Sequence, residues 1–321
     1  MENTKSRDTR KSLIVLTGAS RGIGRSIALS IADACCVESS TDAINTIFPL
    51  PVHLVLIARS LEALEETARL VRERCNYGCG DEALPKITTS CYPVDLSDLE
   101  SLPNKIQQVF DTLAPLHYDR CWLFSNAGSV EPLGATPSLT KGNSSLAMNQ
   151  LRAAVDLNIT SVMWLSSMFA RTFSPPSDTK SHNYPSIRII NMSSLCAIQP
   201  FPTMAPYCAG KAARDMFHSV LAKEMSDGSD EGNQEGTSDG CPSNRKSSVF
   251  KVLNYAPGAC DTMMTDVLAD CSSLDLDLHN YFANSKKENT LINPADSARK
   301  LIGILTKDEY ESGSHVDYWD A

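Results

Sequence analysis

Short runs of apolar residues recur along this chain, each closed by a turn of small or polar residues. Stretches whose apolar positions return every three or four residues follow them. The first pattern reads as parallel strands buried on both faces, the second as amphipathic helices. The run at 13–16 is the first strand, with a helix from Arg25 towards Ala34 behind it. Further strands are expected at 53–57, 88–93, 121–125, 187–192 and 250–255. Helices are expected at 61–74, behind a capping box at Ser97-Asp98-Leu99-Glu100, across 146–170 and towards Met225. One more runs from Pro294, capped by Asn293, to about Lys307. The segment His315-Val316-Asp317-Tyr318-Trp319 is rich in strand formers and reads as a last strand. Alternating strands and helices imply an α/β fold, a doubly wound parallel sheet flanked by helices on both faces. Two stretches stand outside the alternation. Residues 35–51 read as a surface extension, and residues 226–248, acidic at first and almost free of apolar side chains, as a flexible loop.

In such a sheet, ligands lie beyond the carboxyl ends of the strands, so the turns there carry the chemistry. The first is T-G-A-S-R-G-I-G, residues 17–24. Gly18, Gly22 and Gly24 permit a tight turn and let the backbone of Ala19, Ser20, Arg21 and Ile23 approach a diphosphate at a helix N-terminus. This makes the sheet Rossmann-like and the whole chain, 1–321, one NADP-binding domain. The second strand ends in Ala58-Arg59-Ser60. A carboxylate there would hold the ribose 2′-hydroxyl of NAD; Arg59, with Arg21, suits a 2′-phosphate, so the expected cofactor is NADP (NADPH). Asp95, after the third strand, can meet the adenine edge or make a turn. Asn126-Ala127-Gly128, after the fourth, let a cofactor lie against the strand end.

The densest chemistry lies at 191–211. Ser194 leaves a strand, and Tyr207 and Lys211, four residues apart, share a helix face. A hydroxyl, a phenol and an ammonium can meet at one carbonyl. A free tyrosine titrates near pH ~10, and a neighbouring ammonium lowers that value, which suits a proton donor. Asn158 sits in an apolar helix, as a satisfied core residue or as the holder of a water that relays protons to Lys211. Gly258 and Thr262 lie on a loop that can close over the nicotinamide. Asp317, at the end of the chain, reads as a solvated tail charge or as a carboxylate delivered to the same cleft, able to accept two adjacent N–H groups.

The 321 residues carry a net charge of −9, which argues against a nucleic-acid or anionic-membrane partner. No apolar run is long enough for a membrane span. The N-terminal stretch is polar and does not read as a secretory signal. Eleven cysteines show no framework or ligand spacing, and six isolated histidines give no metal pattern. The expectation is a cytoplasmic protein without a metal, so the sequons at Asn143, Asn158 and Asn191 are set aside.

With T-G-A-S-R-G-I-G, the Asn126 motif, Asn158, Ser194, Tyr207 and Lys211 in order, the chain resembles the short-chain dehydrogenase/reductase family. The resemblance is greater still to its members that reduce pterins, through S-S-L-C-A-I-Q-P-F, Y-C-A-G-K-A-A-R-D-M, V-L-N-Y-A-P-G and G-S-H-V-D-Y. It implies a catalytic set of Ser194, Tyr207 and Lys211. It implies NADP contacts at residues 18–24, Arg59, Ser60, Asp95, Leu96, Lys211, Cys260, Asp261, Thr262, Met263, Met264 and Thr265. It implies pterin contacts at Ser194, Leu195, Tyr207, Gly258 and Asp317, a homodimer, and a place in tetrahydrobiopterin synthesis. The alternatives are a broad carbonyl or 3-ketoacyl reductase, against which Asp317 counts, and an NADPH-binding sensor without turnover, against which Ser194 counts.

Overall fold

The computed structural model describes residues 11–36, 47–76, 86–174, 185–227 and 250–320. Seven parallel strands form one sheet in the order β3-β2-β1-β4-β5-β6-β7. They are β1 Ser12–Thr17, β2 Val52–Ala58, β3 Ile87–Pro93, β4 Arg120–Ser125, β5 Ser186–Met192, β6 Phe250–Ala256 and β7 His315–Asp317. The order reverses at β1, so the crevice between the turns after β1 and β4 is the topological switch point.

The helices are α1 Gly22–Cys36, α2 Leu61–Asn76, α3 Leu102–Leu113, α4 Ser144–Val155, α5 Ser161–Phe173, α6 Ala205–Asp227, α7 Met263–Asp270, α8 Leu276–Glu288 and α9 Pro294–Lys307. Alternation along each strand divides the core. Ile14, Leu16, Leu54, Leu56, Ile190 and Leu253 face α1, α2 and α9, whose Ile31, Leu64 and Leu301 fill that layer. Leu13, Val15, Val55, Ile57, Ile189 and Val252 face α3 and α5, with Phe110, Phe169 and Phe173 packed edge to face or tilted. A third cluster, above the carboxyl ends of the strands, joins α7 and α8 to Tyr207, Cys196 and Val130.

Several expectations change. The helix expected across 146–170 is two helices joined by a widened π turn, Asp156–Thr160, with Asn158 at its centre. The capping box at 97–100 does not form. Ser97 instead donates from Nα and Oγ to Asp95 Oδ1, at 2.9 and 2.6 Å. The helix begins at Leu102, where Pro103 suits a first turn that needs no N–H. The last strand stops at Asp317, leaving Trp319 exposed. Helices α7 and α8 fall in a stretch where no helix was expected. The end of the 35–51 extension is not merely surface: Phe48 is buried against Trp122, centroids 5.1 Å apart. The extension's first two residues, Cys35 and Cys36, belong to α1, Cys35 buried, rather than to a surface extension; residues 37–46, and the stretch 226–248 beyond Asp227, lie outside the described residues.

Candidate active site

The turn after β1 is built for a close approach. Gly18 and Gly22 hold φ of +65° and +54°, where L side chains are strained. A Cβ at Gly24 would stand 2.2 Å from the Gly18 carbonyl oxygen, so the turn folds on itself too tightly for a side chain there, while Gly22 lies within van der Waals reach of Thr262. The space between the turn and the loop after β6 is the candidate cofactor channel. Asn126 Nδ2 braces it, donating to the carbonyls of Thr17 and Gly18 at 3.0 and 3.2 Å. Ala19 is buried, and Arg25 donates to the Ser20 carbonyl at 2.5 Å. Arg21 and Arg59 are exposed at the channel's rim. Ser60 Oγ accepts from Ala63 N at 3.2 Å, capping α2. Leu96 is buried. Burial pushes the Asp95 carboxyl up, but the bonds from Ser97 and the charge of Arg59 outweigh it and hold it below its ordinary value. A glycine turn at a helix N-terminus, with positive-φ glycines, is the kind of backbone that accepts a diphosphate.

Ser194, Tyr207 and Lys211 converge where β5 ends. Ser194 is extended, its Oγ accepting from Cys196 N at 3.2 Å. The phenol also reaches Met264 Sδ at 3.7 Å, a weak acceptor that leaves the proton available. Lys211 Nζ lies 5.5 Å from the Tyr207 ring centre and donates to the Met192 carbonyl at 2.5 Å. Burial pushes the Tyr207 phenol above its ordinary value, and Cys196 adds to this against the pull of Arg214 and Ser194. Burial also drives the Lys211 ammonium well below its ordinary value. The lowered phenol expected from the Tyr–Lys spacing is therefore not produced by the protein's own charges: burial outweighs the cations.

Asn158 makes both its amide bonds to Ser129, Oδ1 accepting from N and Nδ2 donating to O, each at 2.9 Å. Its side chain is satisfied and packs under Gly210, whose added Cβ would sit 3.3 Å from its own. Cys260 is buried, Asp261 N donates to the Ile292 carbonyl at 2.9 Å, and Thr262 N donates to Thr265 Oγ1 at 3.0 Å at the start of α7. Met263 is 56% exposed. Gly258 has φ +75°, and a Cβ there would collide with Ile292. Leu195 lies exposed beside Ser194. Asp317, opposite Ala256 in the ladder, is 9% exposed, accepts from Trp319 N at 2.9 Å, and pairs with no cation among the described residues. A groove of about 430 Å³ lined by Leu133, Ala135, Leu146 and Ser273 among others holds none of the catalytic candidates.

Sequence reasoning missed Arg214. It is fully buried, with Nε on Asn191 Oδ1 at 2.7 Å, Nη1 on the Ala127 carbonyl at 2.9 Å and Nη2 on the Ser125 carbonyl. It thus ties α6 to the ends of β4 and β5. Burial lowers its pKa to about 10, so it stays charged at neutral pH. The signal was available: 207, 211, 214 and 218 continue one helix face, and on a core-facing helix that face should be apolar. No group of three or more His, Cys, Asp or Glu among the described residues could hold a metal, and no described helix is long and apolar enough to cross a membrane.

A family model described as short chain dehydrogenase matches residues 12–229. The chain belongs to the short-chain dehydrogenase family. It is therefore an oxidoreductase, of a family whose structural neighbours carry NAD or NADP. Within the family it is 34% identical to sepiapterin reductase of Meriones unguiculatus over 306 residues, 95% of each chain. It is 32% identical to sepiapterin reductase of Bos taurus over 311 residues, 97% of this chain and 95% of that one. An actinorhodin polyketide ketoreductase solved with NADPH superposes with a TM-score of 0.64, covering 96% of this chain and 95% of its own. At 17% identity that likeness is one of fold.

Proposed function

We propose that this short-chain dehydrogenase reduces the side-chain carbonyl of a pterin with NADPH, as in tetrahydrobiopterin synthesis. The observation that carries the reading is Asp317: a buried carboxylate with no cation partner among the described residues, at the sheet end that holds Ser194 and Tyr207. An uncompensated buried charge is costly unless a ligand completes it. A pterin offers adjacent N–H donors that a carboxylate can accept together. With the ring held there, Ser194 donates a hydrogen bond to the side-chain carbonyl oxygen and Tyr207 gives it a proton. A phenol that burial keeps protonated suits that direction of reaction. Lys211, fixed on the Met192 carbonyl, holds the tyrosine's helix turn in place. Asn158 fixes the turn at Ser129 from which the channel floor is made. NADPH, held by residues 18–24, Arg21, Arg59, Ser60, Asp95, Leu96, Asn126 and residues 260–265, would supply the hydride. Its adenosine 2′-phosphate is the expected partner of the two exposed arginines.

The test is NADPH consumption by the purified chain with sepiapterin, a small diketone and a 3-ketoacyl thioester. Sepiapterin should be preferred by at least about tenfold in kcat/KM, a preference lost in Asp317→Asn. Equal rates on all three would favour a broad carbonyl reductase. Arg59→Ala should lose about tenfold of the preference for NADPH over NADH, the scale of one charge-assisted contact. An unchanged ratio removes Arg59 from the cofactor site. Self-association through the exposed faces of α4 and α5, read by light scattering, tests the expected homodimer.

A further inference from the structure

Three polar side chains form a row across the last strands. The register sets Asn191 beside Asn254 and Asn254 beside His315. Residues two apart on a strand share a face, so His315 and Asp317 point to the same side of β7, that of α6. Helix α6 closes the row. Asp215 accepts from Asn191 Nδ2 at 2.9 Å and from His315 Nδ1 at 2.6 Å. Asn191 Nδ2 also donates to Asn254 Oδ1 at 2.9 Å. The His315 and Asp215 side chains are 17% and 13% exposed, so water competes little for their bond. Asp215 stands one turn beyond Lys211 on the same helix. Strand β7 has only three residues, and two residues before it the Gly313 carbonyl accepts from Ser219 Oγ of α6 at 2.9 Å.

We propose that His315 is a positioning residue. Through Asp215 it fixes the final strand, and with it the Asp317 carboxylate, relative to the helix that carries Tyr207 and Lys211. The inference rests on the pterin reading, in which Asp317 and Tyr207 hold opposite ends of one substrate. The path between anchor and donor then runs along two regular elements and one short bond. It passes from Tyr207 through Lys211 to Asp215 on α6, across to His315, and two residues up β7 to Asp317. The ladder and flanking bonds of β7, such as Tyr318 N to the Ala256 carbonyl at 2.8 Å, tie it to β6 and not to α6. A misplacement of about 1 Å can cost on the order of 10²-fold in rate. A substrate too small to reach Asp317 is indifferent to the tether.

The experiment is steady-state kinetics of the full chain with sepiapterin and with 2,3-butanedione. His315→Leu should raise the KM for sepiapterin and lower its kcat/KM by about 10- to 100-fold, with butanedione kcat/KM within about twofold of the unmutated chain. His315→Asn can place an amide N–H near the Nδ1 position and should recover most of the loss. His315→Gln sets its amide one methylene further out and should not. Equal losses on both substrates with His315→Leu would make the residue structural and overturn the proposal. So would equal behaviour of the Asn and Gln variants, which decides the matter if the Leu variant does not fold. Retained sepiapterin kinetics in His315→Leu beside a loss in Asp317→Asn would overturn the positioning role and spare the pterin reading. No effect of Asp317→Asn on sepiapterin would remove that reading and this inference with it.

Discussion

The two faces of the sheet are packed by different physics. On one, Ile27, Ile31, Leu301 and Leu305 of α1 and α9 meet Ile14, Leu16, Leu253 and Tyr255 in a layer that is almost wholly hydrocarbon. On the other, where α6 crosses the carboxyl ends of β5 to β7, the helix presents Arg214 and Asp215 to Asn191 and His315 and Lys211 to the Met192 carbonyl, with His218 buried on the same helix against Ser166 of α5. Hydrocarbon packing contributes most of the stability and tolerates volume-conserving change, because dispersion has no direction. Hydrogen bonds to buried charges have narrow geometry, and leaving one partner unsatisfied is costly. The first face holds the domain together; the second sets where Tyr207 and Lys211 stand. A site that must hold a hydroxyl, a phenol and an ammonium on one carbonyl needs the second kind.

The largest effect expected from that polar face is on chemistry. Tyr207→Phe keeps the ring and its packing with Met204 and Leu268 and deletes only the hydroxyl, which reaches Met264 Sδ. Turnover should fall by ~10²–10⁴-fold, the usual worth of a positioned proton donor, with NADPH binding nearly unchanged by fluorescence titration. Turnover within a few-fold of the unmutated chain would remove Tyr207 from the donor role.

Stability comes next. Arg214→Leu strips the charged donor from Asn191, Ala127 and Ser125 at once and leaves their oxygens buried. Losing one partner of a buried charged network costs about 3–5 kcal/mol. For a chain of this size that is roughly a 4–7 °C fall in Tm by scanning calorimetry. Activity should fall further than stability accounts for, since the ends of β4 and β5 lose their tie to α6. A Tm within about 2 °C would mean that the network is replaceable by packing, and the contrast between the faces would fail.

Much of this was legible in the sequence, and the rest was hidden for physical reasons. The strands were readable because a buried parallel strand is a bare apolar run, as at Leu13-Ile14-Val15-Leu16. The glycine turn was readable because its φ values require glycine. Asn293 as a cap was readable because the cap is local: its Oδ1 accepts from Ala295 N at 2.9 Å. The break at Asp156–Thr160 was not, because its bonds go to Ser129, 29 residues away. Ser97 was misread as a helix cap because it bonds back to Asp95 instead, and α3 starts about one turn later than the spacing suggested. The Arg214 network joins residues up to 89 apart, so the helix face could flag the arginine but not name its partners. The direction of the Tyr207 shift was set by burial, which spacing along a helix does not reveal.

His218 gives the polar face a pH signature. It is fully buried, Nδ1 donating to the Arg214 carbonyl at 2.8 Å and Nε2 accepting from Ser166 Oγ at 3.0 Å. Burial lowers its pKa from 6.5 to about 4. Above pH 6.5 the ring is neutral in both folded and unfolded chains, and the contribution is fully present. As the pH falls towards 4, the unfolded chain takes up a proton that the folded chain refuses, and stability is lost. The expected loss is on the order of 3 kcal/mol by urea unfolding. His218→Gln cannot titrate, so it should flatten the curve between those limits while lowering the plateau. Identical slopes in the two proteins would place the charge sensitivity elsewhere.

The smallest predicted effect is the control on the opposite face. Ile31 is fully buried among α1, α9 and the sheet, in contact with hydrocarbon only. Ile31→Val removes one methylene and should cost about 0.5–1.5 kcal/mol through lost transfer energy and a small cavity. No hydrogen bond changes, and α1 stays anchored by the bond from Arg25 Nε to Thr67 Oγ1 at 3.1 Å and by its neighbours Ile27 and Ala28. The glycine turn at the head of α1 should therefore keep its shape, so kcat/KM for sepiapterin and the Kd for NADPH should stay within about twofold, less than 0.5 kcal/mol. The comparison depends on this asymmetry of cost. If a lost methylene on the hydrocarbon face reduced activity as much as stability, position would be transmitted through dispersion as faithfully as through hydrogen bonds. The polar row under α6 would then be one way among several to hold Tyr207, rather than what the site requires.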